Sequence, residues 1–197
     1  MNSMSNQLTE QDFQCIAEQL QIEVAALKAV QQVETGGRGG FFEPGKPAIL
    51  FEGHIFWSQL KKKGVNPEDH LKGNENILYP KWEKRHYLGG IREYERLEKA
   101  RMINVEAANA SASWGMFQIM GFNYAACGCK SVDELVQAMC ESEVRQLELF
   151  ANFIRLSKLD MLLKNLDWAG FAKRYNGPLY AENKYDAKLA AAYQKIK

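Results

Sequence analysis

Val24-Ala25-Ala26-Leu27-Lys28-Ala29-Val30-Gln31-Gln32-Val33-Glu34-Thr35-Gly36-Gly37 decides how the rest of the chain is read. Leu27, Val30 and Glu34 recur at helical spacing, so they share one face, and the glycines behind Glu34 are a helix stop signal. That face is apolar. A carboxylate at its C-terminal end loses hydration, which disfavours the charged form and raises the pKa. A carboxyl group still protonated at neutral pH is what a general acid must be. The glycines leave room for a second molecule to approach. The same residues also fit an ordinary solvated glutamate at a fraying helix end, and periodicity does not separate the two readings.

Working outward, Thr9-Glu10-Gln11-Asp12 resembles a capping box, and Phe13, Ile16, Ala17 and Leu20 follow at helical spacing. Residues 36–48, rich in glycine and carrying Pro44 and Pro47, read as a loop. The apolar run from Ala48 to Phe56 starts as a short strand and enters a helix near Phe56–Lys63, closed by Gly64. Residues 64–90 look irregular. Ile91, Tyr94, Leu97, Arg101, Met102 and Val105 mark another helix. Ser131-Val132-Asp133-Glu134 is a capping box opening one long helix through Leu135, Met139, Leu147, Phe150 and Ile154. Asp167 caps a helix through Trp168, Phe171 and Tyr175 that stops at Asn176-Gly177-Pro178. Leu189, Ala192, Tyr193 and Ile196 make the last one. The expected fold is mainly α, a compact helical domain spanning residues 1–197, with at most a small strand element.

Composition narrows the function classes. The 197 residues are 46% hydrophobic and 25% charged, which excludes a disordered or collagen-like chain. Lys+Arg 25 against Asp+Glu 24 gives +1, so no global field draws nucleic acid or anionic membrane. The longest uncharged run, Ala107 to Cys129, contains Asn109, Ser111, Ser113, Gln118, Asn123 and several glycines. It suits a core or cleft wall, not lipid, so no stable membrane insertion is expected. Cys127-Gly128-Cys129 lacks the matching second pair of a zinc site, and with Cys15 and Cys140 it reads as reduced thiols. A Cys127–Cys129 bridge would be strained, while Cys140 could pair with either. The N-terminus has neither the basic region nor the apolar core of a secretory signal, so synthesis in the cytoplasm is expected.

Two further features can carry chemistry. Gly115-Met116-Phe117-Gln118-Ile119 places an amide inside the uncharged run, where it must bond to backbone or to a ligand such as a sugar N-acetyl group. Tyr175-Asn176-Gly177 presents a phenol and an amide at a helix end, which alone also fits a simple C-cap. Glu34-Thr35-Gly36-Gly37, then Gly115 to Ile119, then Tyr175-Asn176-Gly177 form an ordered set. It resembles the lysozyme-like superfamily of peptidoglycan-cleaving enzymes, and within it the catalytic domain of phage-type N-acetylmuramidases (endolysins). Ile49 to Phe56, Ser113 to Asn123 and Phe171 to Pro178 extend the likeness, which covers roughly residues 9–197. The resemblance implies a lysozyme-like α+β fold and hydrolysis of the β-1,4 bond after N-acetylmuramic acid. No metal or cofactor is implied, and no separate wall-binding module is seen.

On that resemblance Glu34 is the acid, and Gln118, Tyr175 and Asn176 line the cleft. Glycoside cleavage also needs something at the anomeric carbon. Glu52 is the leading candidate for a second catalytic group, because it sits in an apolar segment with His54 two residues on, and His54 is expected at the substrate; Glu43 is the lesser candidate. Pairing of Glu52 with Lys or Arg remains open, as does a water or the substrate's own acetamido group in its place. Phe41, Phe42 or Trp114 could stack on sugar rings or pack in the core. The expected partner is a peptidoglycan glycan strand, bound by a monomer made in the host cytoplasm and acting on the wall after release. The alternatives are a lytic transglycosylase giving 1,6-anhydro products, a non-enzymatic wall-binding or phage structural module, and a secreted antibacterial effector.

Overall fold

A computed structural model describes residues 8–177 and 180–197; the N-terminal residues read for a signal, and Pro178 of the helix stop, lie outside them. Helix α1 (Glu10–Leu20) opens with the expected reciprocal box: the Thr9 hydroxyl accepts from Asp12 N, and the Asp12 carboxylate accepts from Thr9 N. Phe13, Ile16, Ala17 and Leu20 are its buried stripe. Helix α2 (Val24–Thr35) buries Ala26, Leu27, Ala29 and Val30, and lies between α1 and the C-terminal helix α10 (Tyr185–Ile196). It ends where expected, on Gly36 at φ 58°, a left-handed cap that suits glycine.

The stretch expected as a plain loop contains a small hairpin, β1 (Phe41–Glu43) with β2 (Lys46–Pro47), turned through Gly45 at φ 74°. Strand β3 (Ile49–Phe51) pairs antiparallel with β4 (Ala112–Trp114), which pairs with β5 (Ile119–Met120). Helix α3 (Gly53–Lys62) starts slightly earlier than read. Residues 64–90 are largely irregular, with short 3-10 turns at Pro67–His70 and Lys84–His86.

Two helices expected as continuous are broken. The first splits into α4 (Glu93–Arg101) and α5 (Val105–Ala110), because the Asn104 side chain accepts from Ala107 N and starts a new helix. The second splits at Ser142, whose backbone is extended (φ −166°, ψ 165°) and whose hydroxyl accepts from Arg145 N. This makes α6 (Val132–Glu141) and α7 (Glu143–Leu156), with the apolar periodicity running across the break. The capping box at Ser131 is half formed: its hydroxyl accepts from Glu134 N, but the Glu134 carboxylate takes Lys130 N. Helix α8 (Asp160–Lys164) leads to α9 (Trp168–Tyr175), capped by Asp167 through Gly170 N. The core gathers the apolar faces of these helices around Leu27, Phe51, Trp114, Phe150 and Phe171. All four cysteines are free thiols. No helix among the described residues is long and apolar enough to cross a membrane.

Candidate active site

Glu34 occupies the last turn of α2, next to buried Thr35, with its side chain partly buried. Beyond it the positions where Gly36 and Gly37 would carry side chains face open space. Asn176, at the C-terminal cap of α9, donates its Nδ2 to both carboxylate oxygens, at 3.1 and 3.3 Å. Burial raises the Glu34 pKa above the ordinary carboxylate range, and the Asn176 amide partly offsets this by bonding the charged form. Of the two readings the sequence left open, partial burial on the face shared with Leu27 and Val30 matches the raised-pKa carboxyl, not the solvated one.

Glu34 opens onto a groove of about 560 Å³. Thr35, Arg38 and Gly39 continue from it, Phe41 and Phe42 of the hairpin form one wall, and Ala48, Ile49 and Leu50 of the sheet another. Gly89, Gly90, Gly115, Met116 and Gln118 complete it. Its loops are pinned from behind by polar side chains that the sequence reading did not single out. In the first turn of α7, Glu143 Oε1 accepts from Gly40 N at 2.7 Å. One turn on, fully buried Gln146 accepts from Met116 N at 2.7 Å and donates to Met139 O at 2.9 Å and Gly40 O at 3.2 Å. A Cβ on Gly40 would lie 2.0 Å from Gln146 Oε1, and one on Gly115 2.8 Å from it, so glycine is required at both. On the opposite wall, buried Glu93 accepts from Leu88 N and Gly89 N through Oε1, and from Phe51 N and Arg96 through Oε2. The one available signal for Gln146 and Glu93 was a polar residue on an apolar helix face.

Gln118 stands at the groove, but exposed where the sequence suggested burial. It closes the Gly115–Gln118 turn at φ 49°, which swings its side chain out of the core. Its amide donates to Gly115 O and Ala48 O and accepts from the Ser113 hydroxyl, so it ties the turn to the sheet. The Tyr175 hydroxyl donates to Phe117 O at 2.9 Å, and its ring stacks on Phe171; it fastens the end of α9 to the same turn, and burial holds its pKa well up. Trp114 is a core residue, its indole donating to Asn109 O, whereas Phe41 and Phe42 line the groove. Glu43 is exposed and paired with Lys46.

Glu52 and His54 are brought together with each other and with Tyr87, not with Glu34, and neither lines the groove. Glu52 Oε2 accepts from the Tyr87 hydroxyl at 2.7 Å and lies 3.4 Å from His54 Nδ1. Burial raises the Glu52 pKa, with Tyr87 and His54 opposing. Of the Lys or Arg partner left open for Glu52, the structure supplies the Arg96 charge, which also lowers its pKa, while no Lys or Arg among the described residues forms an ion pair with it.

The N-acetylmuramidase family profile matches residues 23–197. Among curated proteins none matches the chain. Among solved structures, the crystal structure of the Burkholderia AP3 phage endolysin aligns with a TM-score of 0.89 at 39% identity, covering 99% of this chain and 73% of that one. A mainly helical fold with a small antiparallel sheet beside a groove, a partly buried glutamate at a helix end and this match lead to one assignment: the chain belongs to the N-acetylmuramidase family and is a glycoside hydrolase acting on peptidoglycan.

Proposed function

We propose that the protein hydrolyses the β-1,4 bond between N-acetylmuramic acid and N-acetylglucosamine, with Glu34 as general acid. The observation that carries this is a carboxyl group held partly buried at the head of an open groove, with its pKa raised and one neutral amide as its partner. Protonated Glu34 delivers its proton to the glycosidic oxygen as the bond to the anomeric carbon breaks. The Asn176 amide then receives the carboxylate that this leaves, so acid and conjugate base share one geometry. Glu93, the other groove carboxylate, has both oxygens occupied and is buried, which keeps it from serving as a base or nucleophile. The positive charge developing at the anomeric carbon falls to a water in the groove or to the substrate's acetamido oxygen. Water then adds its hydroxyl to the anomeric carbon, giving a reducing sugar, and its other proton returns to the Glu34 carboxylate.

The phage origin of the aligned endolysin supports the same setting here: synthesis in an infected host and action on its wall after release. Digestion of purified peptidoglycan with reducing-end analysis and mass spectrometry tests the reading. New N-acetylmuramic acid reducing ends, absent with Glu34→Gln, are expected. Products lighter by one water would assign a lytic transglycosylase instead, and reducing ends on N-acetylglucosamine would place the cut at the other bond.

A further inference from the structure

Strand β3 sets a direction for the groove. The side chains of Ile49 and Phe51 are buried, at 3% and 0% exposure, while those of Ala48 and Leu50 are partly exposed where this stretch, Ile49 included, lines the groove. Side chains alternate along a strand, and the backbone at Glu52 is still extended (φ −109°, ψ 98°), so Glu52 is the next residue on the face of Ala48 and Leu50. Beyond the lined part of the groove that face meets a relay. Trp82 Nε1 donates to the Tyr87 hydroxyl at 3.0 Å, and that hydroxyl donates to Glu52 Oε2 at 2.7 Å.

The relay ends on an unusual side chain. Trp82 is 61% exposed, yet its one polar atom is engaged inward, so the ring is held with a face toward solvent. Its support is stiff at every step. The Arg96 guanidinium lies 5.6 Å from the centre of the Tyr87 ring, and Arg96 is buried against Glu93. Leu88 and Gly89, the next two residues after Tyr87, are bonded to Glu93, and Gly89 and Gly90 are groove wall. One short segment thus joins the exposed indole to the groove. A free surface tryptophan gains nothing from such anchoring; a recognition surface does, because an aromatic fixed beforehand loses little rotational freedom on contact.

We propose, on the reading that a glycan is cleaved in this groove, that Trp82 is an aromatic platform stacking on the apolar face of a sugar ring where the strand leaves the groove past the end of β3. Tyr87 and Glu52 are its positioning residues. The platform recognises chain length: it engages strands long enough to run beyond the residues around Glu34, and it misses short oligomers.

Two measurements test this. In the inactive Glu34→Gln protein, purified glycan strands are titrated while indole fluorescence is followed, with and without Trp82→Phe. A change that saturates with long strands and disappears with Trp82→Phe is expected; a change that persists without Trp82 overturns the platform. In the active protein, KM is compared on long strands and on the shortest oligomer cleaved. Trp82→Ala should raise KM on long strands about three- to tenfold, the range of a single aromatic contact, and erase the preference for them. Tyr87→Phe should fall between, and Trp82→Phe should recover part of the loss. Equal losses on both substrates together with a lowered Tm would mean a merely structural role and refute the proposal. So would an unchanged preference for long strands. If the wild-type protein releases no muramic acid reducing ends, the cleavage reading itself fails, which is a separate outcome.

Discussion

Replacing Gln146 by Met tests how the groove is held together. The substitution nearly conserves volume, so no sizeable cavity opens, but it removes a donor and an acceptor from a fully buried position. Met116 N loses its partner at 2.7 Å and Met139 O its partner at 2.9 Å. Met139 lies in the last turn of α6, where carbonyls have no helical partner ahead of them. Gly40 O is less affected, because it also accepts from Ala48 N at 2.8 Å. A buried backbone group left without a partner costs about 1–3 kcal/mol. Two full losses and one partial loss together give about 3–5 kcal/mol, with incomplete additivity taken into account. Against a typical total of about 5–15 kcal/mol that is a large share. With a urea slope of about 2 kcal/mol/M, the midpoint should fall by about 1.5–2.5 M. Gln118→Ala is the matched comparison: its amide makes a similar number of bonds but is exposed, water replaces them, and the expected loss is below about 1 kcal/mol. A Gln146→Met loss as small as that of Gln118→Ala would refute the claim that buried amide bonding sets the groove floor.

Glu34→Gln should abolish lysis without lowering stability. The native state raises the Glu34 pKa, so the folded protein binds this proton more tightly than the unfolded chain. Its stabilising contribution is then present at acid pH and is lost as pH rises from the unfolded pKa through the folded one. At neutral pH the variant should therefore melt at or above the wild-type temperature, with the gap closing at acid pH; a variant markedly less stable at neutral pH contradicts this. Asn176→Ala removes the interaction that lowers the Glu34 pKa, so the alkaline limb of the kcat/KM profile should move to higher pH, and a move to lower pH would show the sign to be wrong. Glu93→Leu leaves Arg96 buried without its 2.8 Å partner and should cost about 3–5 kcal/mol in denaturant unfolding, while replacing both residues by apolar ones should cost less. A single variant as stable as the double one would remove the pair from the account.

Features whose signal spans one or two helical turns were legible. The Thr9 box, the end of α2 at Gly36, the Asp167 cap and the strand-to-helix passage through Ile49 to Gly53 all follow from neighbours in sequence. The break at Ser142 was not, because the apolar stripe of α6 continues in phase into α7, and a lone serine is a weak start signal without a glutamate three residues on. The groove walls were illegible for a different reason. Gln146 meets Gly40 across 106 positions and Asn176 meets Glu34 across 142. No local pattern announces Gln146; the Tyr175-Asn176-Gly177 motif places Asn176 at the cleft but does not announce its bond to Glu34. Gln118 is expected at the cleft and stands there, but more exposed than the uncharged run suggested, because its own positive φ turns it outward.

The three carboxylates on apolar helix faces around the groove share one sequence signature and differ in fate, and helix polarity explains why. Glu93 and Glu143 each stand at the first position of a helix, the positive end of its dipole. Both accept backbone N–H groups of neighbouring glycine-bearing loops, Glu93 from Leu88 and Gly89 and Glu143 from Gly40. Glu34 sits on an equivalent apolar face but in the last turn of its helix, at the negative end, where the same dipole opposes its charge and, among the described residues, no backbone N–H bonds it. Burial raises its pKa, and its position leaves that effect largely unopposed, with one amide to moderate it. The two carboxylates at helix starts thus anchor loops, while the one at a helix end is left as the carboxyl whose pKa burial raises. Freeing Glu93 or Glu143 for the acid role proposed for Glu34 would require stripping the loops that form the groove.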